Sequence, residues 1–286
     1  MKSICIKLIS KKTTKYLLNE LNTIKINDIY FSCKKFKLYY NIIIHYKGKN
    51  VVLFYKKISK IISNFIIYNF EEKIIKSLIK LDYFYFDEIE QHRILNTTLQ
   101  DLYNSDEAIY SPNERKKSIY NKVYSYISSN RSIILKGFIS FRLKEYFDFL
   151  LEQVDKSVNK YIVEKEYSEF ISILKLYINS ESSNCNIIHL VYRNSKSILL
   201  DENKSIIDVE KDLLNKKYLS DISFSSNDYA LNTLLNLIPQ KIIVHLIDKD
   251  IDEFINTIKL IFEDKVSICS DCAICNIYKK SHAIHS

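Results

Sequence analysis

Glycine and proline almost vanish from this chain: Gly48, Gly137, Pro112 and Pro239 are the only four among 286 residues. Few positions therefore interrupt a helix once it has started. The scarcity also has chemical force. Phosphate-cradling loops of the dinucleotide or P-loop kind need several glycines for close backbone approach, so a glycine-rich nucleotide site is excluded. The same bias enriches Ile, Lys, Asn and Tyr, with 22 of the last, as the codons of an AT-rich genome would. The lysine excess thus has a source other than a polyanionic partner.

At 47% hydrophobic and 27% charged residues, the composition is that of a soluble globular protein of one large or two medium domains. No stretch approaches the roughly 18 apolar residues of a membrane-spanning helix. The best candidate, Ile61 to Phe70, is interrupted by Ser63, Asn64 and Asn69. Lys7 breaks the short apolar segment Ile4 to Ile9, which argues against a secretory signal. A cytoplasmic protein without membrane insertion is expected.

The net charge of +8 is uneven. Residues 1–50 carry about eleven Lys against Glu20 and Asp28 alone, whereas residues 201–286 are net acidic by about four charges. Such asymmetry can mark a nucleic-acid surface. The lysines, however, are dispersed among apolar residues, and Arg, the better phosphate fork, is absent from residues 1–92. A solvated basic face is the expectation, and nucleic acid is an unlikely partner.

Hydrophobic periodicity predicts an α+β fold in three zones. Residues 1–55 read as a small basic α/β unit: strands over residues 3–8, 29–36 and 38–46, a helix over 12–24, and a tight hairpin turn at Lys47-Gly48-Lys49-Asn50. Residues 56–180 read as helical. Ser111-Pro112-Asn113-Glu114 has the N-cap, N1 proline and capping-box acid of a helix start. From Phe138 to Ile178 the apolar stripe changes face, which calls for either a break near residue 162 or a helix packed on both sides, with a break or sharp bend favoured. Residues 181–286 return to α/β, with a hairpin around Asn194-Ser195 and a helix stopped by Pro239. A parallel βαβ unit then follows over 241–269, its amphipathic helix burying Ile251, Phe254, Ile255, Ile258, Ile261 and Phe262.

Four ordered blocks resemble the YtxC-like family. They are Gly137-Phe138-Ile139-Ser140-Phe141-Arg142-Leu143-Lys144-Glu145-Tyr146, Glu164-Lys165-Glu166-Tyr167-Ser168-Glu169-Phe170-Ile171, Pro239-Gln240-Lys241-Ile242-Ile243-Val244-His245, and Cys269-Ser270-Asp271-Cys272-Ala273-Ile274-Cys275. The resemblance covers about residues 137–275, and before it the agreement is one of general pattern only. It implies a cytoplasmic protein of endospore-forming Firmicutes linked to sporulation. It brings no biochemical activity and no catalytic residues.

The residues themselves offer no nucleophile elbow and no His-Glu-x-x-His helix. Arg142 with Glu145 fits a surface ion pair one turn apart, and Glu164 with Glu166 fits boundary carboxylates better than a metal site. Cys5, Cys33 and Cys185 read as isolated, buried thiols and not as disulfide partners, His92 as solvent-facing, and His45 and His189 as partly buried structural histidines in strands. The sharpest signal is Cys269, Cys272 and Cys275. Two-residue gaps let successive thiolates turn toward one ion, as in zinc knuckles and ferredoxin loops. The ferredoxin continuation, a fourth Cys followed by Pro, is missing. His245, near the C-terminal end of the neighbouring strand, is the favoured fourth ligand, with His282, His285 and Cys185 as competitors. Zinc ranks ahead of an iron–sulfur cluster, because histidines outnumber spare cysteines nearby. The alternative is a reduced tail without metal. Three functions follow: a non-enzymatic interaction or regulatory protein with an unidentified protein partner, a metal-binding module, or nucleic-acid binding through the basic N-terminal unit.

Overall fold

The computed structural model describes residues 1–25, 27–104, 111–207, 225–248, 250–269 and 271–280. The chain is α+β, and its contacts gather into two compact units, Met1–Val163 and Glu164–Ser286, each with a four-stranded mixed sheet. The unit boundary falls inside the zone that reads as helical.

In the first unit, strand alternation builds a one-sided sheet. Ile4, Ile6 and Leu8 of β1 (Lys2–Leu8) and Ile42, Ile44 and Tyr46 of β3 (Tyr39–Tyr46) are all buried, as a period of two places them on one face. β2 (Ile29–Phe36) and β1 both pair antiparallel with β3, and the short β4 (Ser132–Ile134) adds parallel to β1. The sheet order is β2-β3-β1-β4. Five helices lie between or after these strands: α1 (Lys11–Asn22), α2 (Val51–Asp82), α3 (Glu88–Asn104), α4 (Pro112–Ser129) and α5 (Leu135–Arg142). Ser111 Oγ accepts from the Glu114 N–H at 3.4 Å and starts α4 at Pro112. Asp87 and Glu90 cap α3 reciprocally, at 2.8 and 2.9 Å.

Three local expectations are corrected. Lys47-Gly48-Lys49-Asn50 is no hairpin turn: Asn50 Oδ1 accepts from Leu53 N–H at 2.9 Å, N-caps α2 and makes Val51 to Tyr55 its first residues. The hairpin turns at Lys37-Leu38 instead, with Lys37 at φ 52°. Gly48 lies against the Tyr46 ring, where a Cβ would collide. The second correction is that no break occurs near residue 162. α6 runs unbroken over Lys144–Ser180, and the interruption comes at buried Leu143. The change of apolar face is satisfied by packing on both sides. Tyr146, Leu150, Val154 and Val158 join the first unit's core, and Ile171 and Ile178 the second's. Third, β4 has no counterpart in the periodicity, since three residues are too few to show one.

A buried charge network crosses the helices of the first unit. Glu71 on α2 is 1% exposed, accepts from the Tyr146 hydroxyl, accepts from Tyr103 Oη at 3.3 Å, and faces Arg115 Nε at 3.5 Å. Arg115 also donates to the Leu102 carbonyl at 2.8 Å. Burial, reinforced by the Glu71 charge, pushes the Tyr146 hydroxyl far above its ordinary pKa, so it stays a donor.

The second unit is a sheet of order β6-β5-β7-β8. β5 (Cys185–Arg193) and β6 (Lys196–Leu200) form the expected hairpin, with Asn194 and Ser195 both at positive φ. β7 (Pro239–Leu246) is parallel to β5, and β8 (Val266–Ile268) is parallel to β7, so the βαβ unit is present. α7 (Ser226–Leu237) is capped by a Ser225–Asp228 box and stops at Ile238, which takes a left-handed conformation just before Pro239. α8 (Glu253–Phe262) buries Ile255, Ile258, Ile261 and Phe262 against the sheet. Ile251, expected on that face, is exposed, because Asp252 is the N-cap and Ile251 precedes the helix. On the opposite face of the sheet α9 (Ala273–Lys280) packs Ile274 and Cys275 on Val191, Leu200 and Ile247. Among the described residues, no helix is long and apolar enough to cross a membrane.

Replacing Ile258, which is fully buried, with Asp places an unpaired charge in the interface between α8 and the sheet. A loss of several kcal/mol, of the order of 3–5, is expected in thermal or denaturant unfolding. Leu260→Asp, on the exposed side of the same helix, should change stability by less than about 1 kcal/mol. An Ile258→Asp melting curve matching the unsubstituted chain would refute this packing.

Candidate metal centre

β7 alternates between the two faces of its sheet. Ile242 and Val244 point into the main core of the second unit, so His245 must point to the side that α9 covers. The chain then returns alongside it: β8 pairs Val244 with Ile268, and the Cys269 N–H donates to the Val244 carbonyl at 2.9 Å. Cys269 therefore leaves the sheet one residue from His245. Cys272 precedes α9 and Cys275 lies in its first turn, so the helix start folds both thiols back toward the strand end.

The four predicted ligands do come together. His245 Nδ1 lies 3.4 Å from Cys272 Sγ and 3.4 Å from Cys275 Sγ. Cys275 Sγ is 3.8 Å from Cys272 Sγ and 3.9 Å from Cys269 Sγ, and all four donor atoms lie within 4.8 Å of one another. His245 is 1% and Cys275 3% exposed, while Cys269 and Cys272 are half-buried. This group could hold a metal ion. A tetrahedral ion with sulfur at about 2.3 Å and nitrogen at about 2.0 Å requires S···S of about 3.8 Å and N···S of about 3.5 Å. The four separations quoted meet that requirement, and Cys269 Sγ lies within 4.8 Å of the other two donors.

The protonation states of the cluster are uneven. Burial first, then the neighbouring His189, holds His245 down to about 4, so it is neutral and able to ligate. Burial pushes the Cys269 thiol up to about 12, with Cys272 and Cys275 adding to the effect. Burial opposes ionisation of Cys272 too, but the backbone N–H groups of Cys275 and Ile274 and the adjacent thiols outweigh it and bring its pKa below the ordinary value. Cys272 is the natural first thiolate.

Other predicted positions stay outside the site. Cys185 begins β5 opposite Pro239, at the far end of β7, and His282 and His285 lie outside the described residues. Glu164 and Glu166 are exposed on α6. Cys33, expected to be buried, is exposed on β2, and Cys5 and Cys185 are half-buried. Glu145 pairs with Lys122 at 2.7 Å and not with Arg142, because Leu143 ends the helix between them; Arg142 sits over the Tyr126 ring.

Sequence reasoning missed His189. Its Nδ1 lies 2.9 Å from His245 Nε2, and the rings stack at 5.2 Å. If His245 gives Nδ1 to a metal, its Nε2–H must donate to His189 Nδ1, which fixes the tautomer and the ring plane of the ligand. The signal was present only in the β5–β7 register, where His189 and Val191 face Ile243 and His245.

The sequence matches the family described as "YtxC-like family" over residues 56–267, a span that includes His189 and His245 and stops just before Cys269. A relative, "Uncharacterized protein YtxC" of Bacillus subtilis (strain 168), is 23% identical over 202 residues, which is 69% of this chain and 71% of the relative. No solved structure matches the chain significantly.

His189→Ala should weaken metal binding by about tenfold or more, read by competition with a chromophoric chelator, while His189→Gln, which keeps an acceptor, should recover most of the loss. Equal affinities in all three proteins would remove His189 from the site.

Proposed function

The chain belongs to the YtxC-like family, and we propose that its C-terminal part is a structural zinc module held by Cys269, Cys272, Cys275 and His245. The observation that carries this reading is the match between the donor separations and a single tetrahedral ion. Three thiolates and one imidazole are a soft donor set of the kind zinc takes in structural sites. Four protein donors complete the coordination, so no position is left for substrate or an activated water. A four-iron cluster spreads its thiolates over separate irons, and a donor set this tight favours one ion instead.

The ion would join β8, the Cys269–Cys272 turn and α9 to the buried end of β7. Among the described residues that face has a small apolar cluster of five buried residues around Val191 and Ile274, with Arg193 donating to the Tyr278 carbonyl at 2.6 Å, so the metal would add substantially to what fixes α9. The wider role we propose is that of a cytoplasmic, non-enzymatic interaction protein of sporulating cells. The family resemblance of the sequence supports that setting.

Protein purified anaerobically, without a metal-binding tag, should contain about one zinc per chain. Cys272→Ser and His245→Ala should each lose most of it, and strong chelation should lower the melting temperature of the second unit by several degrees, since binding free energy is folding free energy. Substoichiometric zinc and iron with a featureless visible spectrum, unchanged in Cys272→Ser, would refute the proposal. A visible charge-transfer band with iron in place of zinc would transfer the site to a cluster.

A further inference from the structure

A second constellation lies in the first unit, in a cleft of about 450 Å³ between α2 and α4. Its lining holds five lysines, Lys56, Lys57, Lys60, Lys116 and Lys117, and no carboxylate. On α2 the residues Leu53, Lys56, Lys57, Lys60 and Asn64 recur at helical spacing on one face, opposite buried Phe54, Ile58 and Ile62. Leu53, 40% exposed, and half-buried Tyr120 give the cleft an apolar and aromatic wall.

Some lysines of this chain meet carboxylates, such as Lys76 with Glu72 at 2.6 Å, Lys122 with Glu145 at 2.7 Å and Lys175 with Glu263 at 2.6 Å. In the cleft Lys56, Lys57 and Lys60 have no ion pair among the described residues, and no acidic residue occurs in the sequence between Asp28 and Glu71. Lys117 has one exposed pair with Glu114 at 3.5 Å, and Lys116 donates to the Tyr68 hydroxyl at 3.0 Å. Five lysines and no carboxylate in one lining give the cleft a positive charge that favours an anion.

We propose that this cleft binds a nucleoside polyphosphate. The lysines meet the phosphates as point charges, in place of the backbone cradle that a chain with two glycines cannot build. Leu53 and Tyr120 pack on the base, and the volume suits a ligand of that size. We assign a small molecule because the five lysines line a single open cleft of about 450 Å³ instead of a long track for a strand.

The test is isothermal titration of the full zinc-loaded chain with ATP, inorganic tripolyphosphate, adenosine and a single-stranded 20-nucleotide DNA, at about 0.15 M salt. ATP and tripolyphosphate should bind, adenosine alone should not, and ATP should bind more tightly than the DNA. Lys57→Ala/Lys60→Ala should weaken ATP at least tenfold, whereas Lys34→Ala/Lys35→Ala, on exposed β2 of the same basic unit, should change it less than twofold. Tyr120→Ala should weaken ATP and leave tripolyphosphate unchanged. All these lysines are exposed, so circular dichroism should be unaltered. No ATP binding, equal losses in the two lysine pairs, or an unchanged ATP affinity in Tyr120→Ala would overturn the proposal. Tighter binding of the DNA with the same losses would give the cleft to nucleic acid instead.

Discussion

The hydrogen bond from the Cys269 N–H to the Val244 carbonyl governs the geometry of the C-terminal site. It is the last rung of a three-residue parallel pairing between β7 and β8, and it decides where the chain leaves the sheet. Because adjacent residues on a strand face opposite sides, Val244 goes to the core and His245 to the side where the cysteines gather. A slip of one residue in that pairing would send Cys269 to the wrong face and leave His245 with His189 but without that thiol beside it. The register of β8 is too short to be well specified by apolar packing alone. A bound ion joining both strands' ends would supply the specification that three residues of pairing lack.

Scarcity of glycine has a structural counterpart. Where chains commonly place glycine at positive φ, this one uses Lys37, Asn194, Ser195, Ile238 and Glu263. Asn tolerates the left-handed region well, but a β-branched residue such as Ile238 does not, and strain of about 1–3 kcal/mol is typical there. Ile238 is held by 2% exposure in the core and by its N–H donating to the Leu234 carbonyl. Packing thus over-determines a conformation that local propensity opposes. The same lack of breakers lets α2 reach 32 residues and α6 37. Such helices are hydrophobic on more than one side because different segments are buried on different faces.

That explains which features were legible in the sequence. Caps are local chemistry, so Ser111 could be read directly, as could the βαβ unit from its strand, amphipathic helix and strand. The Cys-x-x-Cys-x-x-Cys spacing is also local, and His245 followed from the general place of ligands at the strand ends of α/β sheets. The misreadings were non-local or short. A change of apolar face looked like a break in α6 because a sequence does not say what lies on each side of a helix. Lys47 to Asn50 looked like a turn because Asn-capped helix starts and hairpin turns share residues. His189 needed the pairing of β5 with β7, across about fifty residues, before it could be placed beside His245.

The electrostatics of the cluster then indicate an order of assembly. Three thiols and an imidazole within 4.8 Å cannot all carry charge in a half-buried site without a cation. The protein resolves this unevenly: backbone N–H groups at the start of α9 favour the Cys272 thiolate, while burial keeps Cys269 protonated well above neutral pH. On the zinc reading, the Cys272 thiolate and neutral His245 would be the first donors available to an ion, and the remaining thiols would release their protons on ligation. Without an ion, Cys269 as a thiol costs no charge burial, so the strand end can form. With one, the same residue would connect the sheet to α9. The cluster is pre-organised in position but not in charge.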